Sequence, residues 1–186
     1  LLGRKPSLHC RDICVGAPTG SGKTLVYVIS VLQALVDRSV VRLRALVLLP
    51  SRDLAVQVFD EFRRYSGAVG IKVGLVTGQR DFAQEQREIV GRAGARGCQP
   101  VVTPAQPGAP WAAAARADAG SGGRSAVDVL VCTPGRLMDH LERTPGFTLQ
   151  HLRLLVVDEA DRLLNQSYHQ WTDKVPPCEV PFTSAP

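Results

Sequence analysis

Ala17-Pro18-Thr19-Gly20-Ser21-Gly22-Lys23-Thr24 lies between an apolar run, Ile13-Cys14-Val15, and an apolar-periodic stretch that begins at Leu25. Strand, glycine-rich loop and helix in that order is the arrangement a phosphate-cradling P-loop needs. Gly20 and Gly22 can adopt backbone angles closed to other residues, so successive N–H groups can converge on anionic oxygens. The helix that follows adds the positive end of its dipole. Within such a loop Lys23 reaches the β- and γ-phosphates of a bound nucleotide, and the Thr24 hydroxyl ligates Mg²⁺. The first position of the common pattern is glycine, and here it is Ala17.

Outward from this loop, strand-like and helix-like stretches alternate. Residues 12–16 read as a short buried strand. From Lys23 to about Asp37, Leu25, Val28, Ile29, Leu32, Leu35 and Val36 mark one helix face. Residues 43–49 end in a continuous apolar run stopped by Pro50, as expected for a strand covered on both faces. A helix starts at Ser51 or Arg52, with Leu54, Val58, Phe59 and Phe62 inward, and ends near Gly67. Residues 71–76 form the next strand and 81–90 a polar helix. After an interruption, 127–132 is a strand and Thr133-Pro134 opens a helix to about Arg143, with proline at its favoured first position. Residues 152–157 are a fifth apolar strand, and a short helix runs on to Leu164. Beyond Trp171 the periodicity fails, and residues 176–186 hold four prolines. Alternation of this kind predicts an α/β domain, a parallel sheet with helices on both faces, whose ligands sit at the carboxyl ends of the strands.

The interruption at 91–126 contains 11 Ala, 7 Gly and 4 Pro, too little apolar bulk to offset the entropy of ordering. It reads as a disordered insert. A loop lengthened about sixfold costs only about 1.5 kcal/mol more to close, so the fold can carry it. The insert holds four arginines against Asp118, a net +3 of the +5 on all 186 residues. The folded part is therefore nearly neutral, and no concentrated basic face is expected from charge alone. No apolar run reaches membrane-spanning length. Cys10, Cys14, Cys98, Cys132 and Cys178 lack the paired spacing of a zinc or redox site and read as reduced thiols in an intracellular protein. Since residue 1 is leucine, the chain is expected to be a fragment.

The other half of a nucleotide site is Leu154-Leu155-Val156-Val157-Asp158-Glu159, a hydrophobic strand ending in two carboxylates. Asp158 can hold Mg²⁺ opposite Thr24, and Glu159 can orient the water that attacks the γ-phosphate. Alone, such a pair is more often a helix cap. Joined to the loop at 17–24, it makes nucleoside triphosphate hydrolysis the chemistry these residues can do.

Four stretches then carry a resemblance. Residues 17–24, Pro50-Ser51-Arg52-Asp53-Leu54-Ala55, Thr133-Pro134-Gly135-Arg136 and Asp158-Glu159-Ala160-Asp161 occur in the order found in DEAD-box ATP-dependent RNA helicases. The chain resembles that family over about residues 12–171, and the resemblance implies a RecA-like P-loop domain followed by an irregular tail, 172–186. It implies ATP on residues 17–24, Mg²⁺ at Thr24 and Asp158, and catalytic roles for Lys23, Asp158 and Glu159. It implies RNA backbone contacts at Pro50, Ser51, Arg52, Gly78, Thr133, Gly135 and Arg136, and interdomain coupling through Asp161. Arginines, helix N-termini and backbone amides suit phosphate and sugar contacts, which hold a strand without reading its sequence.

The chain departs from the family pattern at Ser51 and Asp53, and its Gly-Gly element is reduced to Thr77-Gly78-Gln79. Residues 1–11 show no Gln-containing adenine element and no Ser-Ala-Thr element follows the Asp158 box; the family's second RecA-like domain is expected to be absent from this chain. This polypeptide alone is therefore expected to bind ATP weakly at best and to hydrolyse it slowly or not at all. The tail at 176–186 begins where the family's helix runs on and suggests a splice junction or a gene-assembly error. Residues 76–79 and 143–147 are similar to the subgroup of nucleolar helicases that mature large-subunit ribosomal RNA, implying a ribosomal RNA precursor as partner and a nuclear, nucleolar location. Two alternatives stay open: a non-catalytic module that binds RNA or a helicase partner, and a P-loop ATPase acting on DNA or protein.

Overall fold

In the computed structural model, residues 12–18, 20–90, 125–165 and 171–175 are described. Four parallel strands form the sheet: β1 (Ala45–Leu48), β2 (Val73–Val76), β3 (Val129–Cys132) and β4 (Leu154–Val157), in the order β2-β3-β1-β4. Their registers align residue for residue, Val47 opposite Val131 on one side and Val156 on the other. The helices are α1 (Lys23–Leu35), α2 (Arg52–Ser66), α3 (Phe82–Val90), α4 (Pro134–Arg143), α5 (Ala160–Asn165) and α6 (Trp171–Lys174).

The alternation of side chains along each strand supplies two cores. Leu46, Leu48, Leu130, Cys132 and Val76 face one way, among Ile89 of α3 and Leu137 of α4. Ala45, Val47, Leu49, Val129 and Val131 face the other, among Val28, Val31, Leu32 and Leu35 of α1 and Ala55, Val58 and Phe62 of α2. β1 and β3 are buried at every position, as strands covered on both faces must be.

Three expectations are corrected. Residues 12–16 are not a strand: they are coil, with Ile13 83% and Val15 63% exposed. A short apolar run becomes a strand only when a neighbour supplies its hydrogen bonds, and no described strand lies beside it. The buried stripe of α1 is rotated from the predicted one. Val31 is buried, while Leu25, Ile29 and Val36 are exposed, because α1 is covered by the sheet and α2 on one side only. Beyond the predicted end of periodicity, residues 171–174 still make a helical turn, anchored by the buried Trp171. The insert lies outside the described residues except Ser125 and Ala126; the Ala126 N–H donates to Ile89 O at the end of α3. Residues 1–11 and 176–186 lie outside them entirely.

At the amino ends of the strands, Asp128 ties the frame together. It is fully buried and accepts the Lys72 N–H at 2.9 Å. Arg38 Nε lies 2.6 Å and Arg44 Nη1 4.0 Å from its other oxygen. The Arg38 contact is an ion pair, not an aligned hydrogen bond. Asp128→Ala removes a fully buried carboxylate from the Arg38 and Arg44 guanidinium groups and the Lys72 N–H, and is expected to cost about 3–5 kcal/mol. Urea denaturation followed by circular dichroism measures this directly.

Candidate functional site

The carboxyl ends of all four strands open on the same side of the sheet, and the predicted residues collect there. Within the phosphate loop, Gly20 (φ 82°) and Gly22 (φ 85°) are both left-handed, the conformation the loop reading requires of them. Gly22 is the residue from which α1 starts, and its carbonyl accepts the Val26 N–H. The Ser21 N–H donates to Pro18 O, which tightens the loop. The Lys23 ammonium bonds to the carbonyls of Ala17 and Pro18. Thr19 lies outside the described residues.

α1, which follows the glycine-rich loop, meets the tip of β4 through a residue the sequence reading missed. The Tyr27 hydroxyl donates to Asp158 Oδ2 at 2.9 Å. Burial, together with the Asp158 charge, pushes the phenol well above its ordinary value, and a hydrogen bond with Thr24 acts in the other direction. Tyr27 is one helical turn beyond Thr24, so the two share a face of α1. That spacing was the signal available in the sequence. Asp158 Oδ1 accepts the Glu159 N–H at 3.0 Å. Glu159 has a left-handed backbone, φ 50°, the one such non-glycine among the described residues. A non-glycine residue there costs roughly 1–3 kcal/mol and persists where the surroundings over-determine it. Its carboxylate pairs with Arg162 at 3.0 Å. Asp161 is exposed in the first turn of α5.

The residues singled out for RNA sit on the ends of the other three strands. Pro50 and Ser51 follow β1, and the Ser51 hydroxyl accepts the Leu54 N–H, capping α2 with Arg52 exposed at its start. Thr133 occupies the N-cap of α4 with no side-chain cap bond, and Gly135 and Arg136 lie in the first turn. Gly78 follows β2 with φ 76°. A Cβ there would lie 3.5 Å from Arg136 Nε, so Gly78 and Arg136 are in contact.

Beneath them is a buried polar network that the sequence reading left unassigned. Glu85 is 1% exposed. One of its oxygens accepts the N–H groups of Thr77 (3.2 Å) and Gly78 (3.0 Å). The other takes Arg136 Nε at 2.6 Å and His140 Nε2 at 3.1 Å. His140 Nδ1 lies 2.8 Å from the Thr144 hydroxyl, and Phe82 stacks on the imidazole at 4.5 Å. Burial alone would raise the Glu85 carboxyl, but bonds from Arg136, His140 and the Gly78 N–H hold it below its ordinary value. Burial pushes His140 down, against its bond to Glu85. Glu85 is thus an anion and His140 neutral, which sets the tautomer: Nε2–H donates to Glu85, and Nδ1 accepts the Thr144 O–H.

The family model of the DEAD/DEAH box helicases matches residues 5–109 and 111–182. The chain belongs to this family. It is 42% identical over 173 residues to human "ATP-dependent RNA helicase DDX51", a match covering 93% of the chain and 22% of that protein. Identity to Arabidopsis thaliana "DEAD-box ATP-dependent RNA helicase 1" is 48% over 174 residues, covering 89% of the chain and 29% of the relative. The chain therefore spans under a third of the length of these relatives. The fold is similar to that of a DEAD box protein from Methanococcus jannaschii, with a TM-score of 0.58 at 23% identity, over 86% of the chain and 33% of that structure. RecA-like architecture is thereby established. Among the described residues no helix is long and apolar enough to cross a membrane, and no group of three His, Cys, Asp or Glu is placed to hold a metal ion.

Tyr27→Phe removes one hydrogen bond to a half-buried carboxylate and is expected to cost about 1 kcal/mol in urea denaturation. The Glu85–His140 pair predicts a pH dependence of stability. Both groups titrate lower in the folded chain than in the unfolded one, where they approach 6.5 for His140 and 4.5 for Glu85. Their contribution is present in full above those values and is lost as pH falls, first through His140 and then through Glu85. Denaturation midpoints measured from pH 7.5 downward should decline below about 6.5 in the wild type. In His140→Gln that first part of the decline should flatten.

Proposed function

We propose that the chain is the nucleotide-binding part, residues 12–171, of an ATP-dependent RNA helicase, which couples ATP binding and hydrolysis to holding and separating RNA strands. The observation that carries this is the strand order β2-β3-β1-β4. Three neighbouring strands end in the RNA candidates, and the fourth ends in Asp158 and Glu159 beside α1. One edge of one sheet thus offers two adjacent sites, one for a triphosphate and one for a sugar-phosphate backbone.

In this reading Gly20, Ser21 and Gly22 wrap the phosphates with backbone N–H groups, and Lys23 leaves the Ala17 and Pro18 carbonyls for the β- and γ-phosphates. Thr24 and Asp158 fit Mg²⁺ because both offer hard oxygen donors, and Tyr27, one helical turn from Thr24, donates to Asp158. When bound, the ion neutralises charge on the phosphate oxygens. Glu159, held in its left-handed conformation, orients the attacking water. The exposed Arg52, the free first turn of α4 and Arg136 suit phosphate contacts, and contacts to the 2′-OH separate RNA from DNA. The same reading extends to a ribosomal RNA precursor as substrate and the nucleolus as location, supported by the wording of residues 76–79 and 143–147.

Titration of the 186-residue chain with a fluorescent ATP analogue, and separately with single-stranded RNA and DNA, tests this. Lys23→Ala should weaken nucleotide binding by at least about tenfold, as loss of a charged phosphate contact does, and leave RNA binding without nucleotide unchanged. Equal affinity for RNA and DNA would sink the RNA assignment, and nucleotide binding insensitive to Lys23 would sink the ATP assignment.

A further inference from the structure

Glu85 lies outside every stretch that carries the proposed chemistry, yet it is bonded to two residues of the RNA set. An ionised carboxylate offers about four acceptor sites. At Glu85 all four are taken, by the N–H groups of Thr77 and Gly78 on one oxygen and by Arg136 Nε and His140 Nε2 on the other. With no lone pair to spare and 1% exposure, Glu85 can neither touch RNA nor transfer a proton. What it can do is hold two chain segments in one geometry: the loop after β2 and the first turn of α4.

We infer that Glu85 is the positioning residue of the RNA site, locking the Gly78 loop and Arg136 into one phosphate-binding corner. This rests on the RNA reading above and sharpens it in two ways. First, the Gly78 N–H is spent on Glu85 and is not a phosphate donor. Gly78 contributes clearance instead: it lets Arg136 pass within van der Waals distance of the backbone. Second, the anion-binding group at this corner is the rest of the Arg136 guanidinium. Of its five N–H donors, Nε goes to Glu85 and one on Nη1 reaches Asp139 at a long 3.5 Å. Three remain for an RNA phosphate. The side chain is held flat by Phe82, whose ring centroid lies 4.7 Å from the guanidinium carbon. Behind Glu85, His140 and Thr144 brace the far oxygen, and the Gln86 amide donates to the Thr144 hydroxyl.

Glu85→Gln is the discriminating substitution. It keeps the shape but replaces one oxygen with an NH₂, which must face either the two backbone N–H donors or the Arg136 and His140 donors. Binding of a fluorescent single-stranded oligouridylate to the 186-residue chain should weaken about tenfold, the effect of losing a hydrogen bond to a charged group. Affinity for the ATP analogue should not change. Because Glu85 acts through Arg136, the double variant Glu85→Gln/Arg136→Ala should bind no worse than Arg136→Ala alone, and both should show a shallower salt dependence than the wild type. Wild-type oligouridylate affinity in Glu85→Gln, or losses that multiply in the double variant, overturns the inference. Should Glu85→Gln not fold, Arg136→Lys makes the same test. It keeps the charge but not the fork, and must lose as much affinity as Arg136→Ala. If the wild type itself binds no oligouridylate, the RNA reading fails, and the positioning is judged by NMR. The Gly78 amide and Arg136 Nε–H resonances must then both move or broaden in Glu85→Gln, and unchanged resonances overturn it.

Discussion

The two central strands of the parallel sheet, β1 and β3, have to be covered on both faces, and most of the molecule follows from that requirement. Alternate residues of β1 and β3 point to opposite sides, so one sheet needs two apolar layers. α1 and α2 supply one layer, and α3 and α4 supply part of the other. Each connection must carry the chain back to the starting end of the sheet before the next strand. The loops leaving the strands therefore all open at the same edge. The turns after β1, β2 and β3 and the carboxylates after β4 become neighbours without being close in sequence.

Two buried carboxylates hold the ends of this frame, and they do different work. Asp128, at the amino ends of the strands, joins Lys72, Arg38 and Arg44 and touches nothing in the candidate site. Glu85, at the carboxyl ends, joins the Gly78 loop to Arg136. A buried charge with its partners in place is stable, and one with a partner removed is costly, so both resist rearrangement. The apolar layers set where the strands lie. The carboxylates set how the loops at each end are held.

Legibility in the sequence followed the range of the interactions. α2 was readable to within a residue because its cap, Ser51, and its inward residues Val58 and Phe62 are local signals. α4 was readable from Thr133-Pro134 for the same reason. The strand at 12–16 was misread because Ile13-Cys14-Val15 has strand composition but pairs with no described strand, and pairing is not a local property. The burial of α1 was misjudged at Leu25, Ile29 and Val36, where periodicity shows an apolar stripe but not how much of it a neighbour covers. At the site, the phosphate loop and the Asp158 box were legible as motifs. Glu85 and the bond from Tyr27 to Asp158 were not, because each joins partners distant in the chain.

The sequence by itself determined the α/β class, the order of the elements from α1 onward and the residues at the strand ends. Those rest on period, caps and short spacings, all set by residues within a few positions of one another. The tertiary structure alone decided the strand order β2-β3-β1-β4, the Tyr27 bond to Asp158, and the Glu85 junction between Gly78 and Arg136. Each of these joins segments whose separation along the chain carries no pattern. The free energy that selects them comes from burial and from satisfying polar groups away from water, which appears only once the layers have closed.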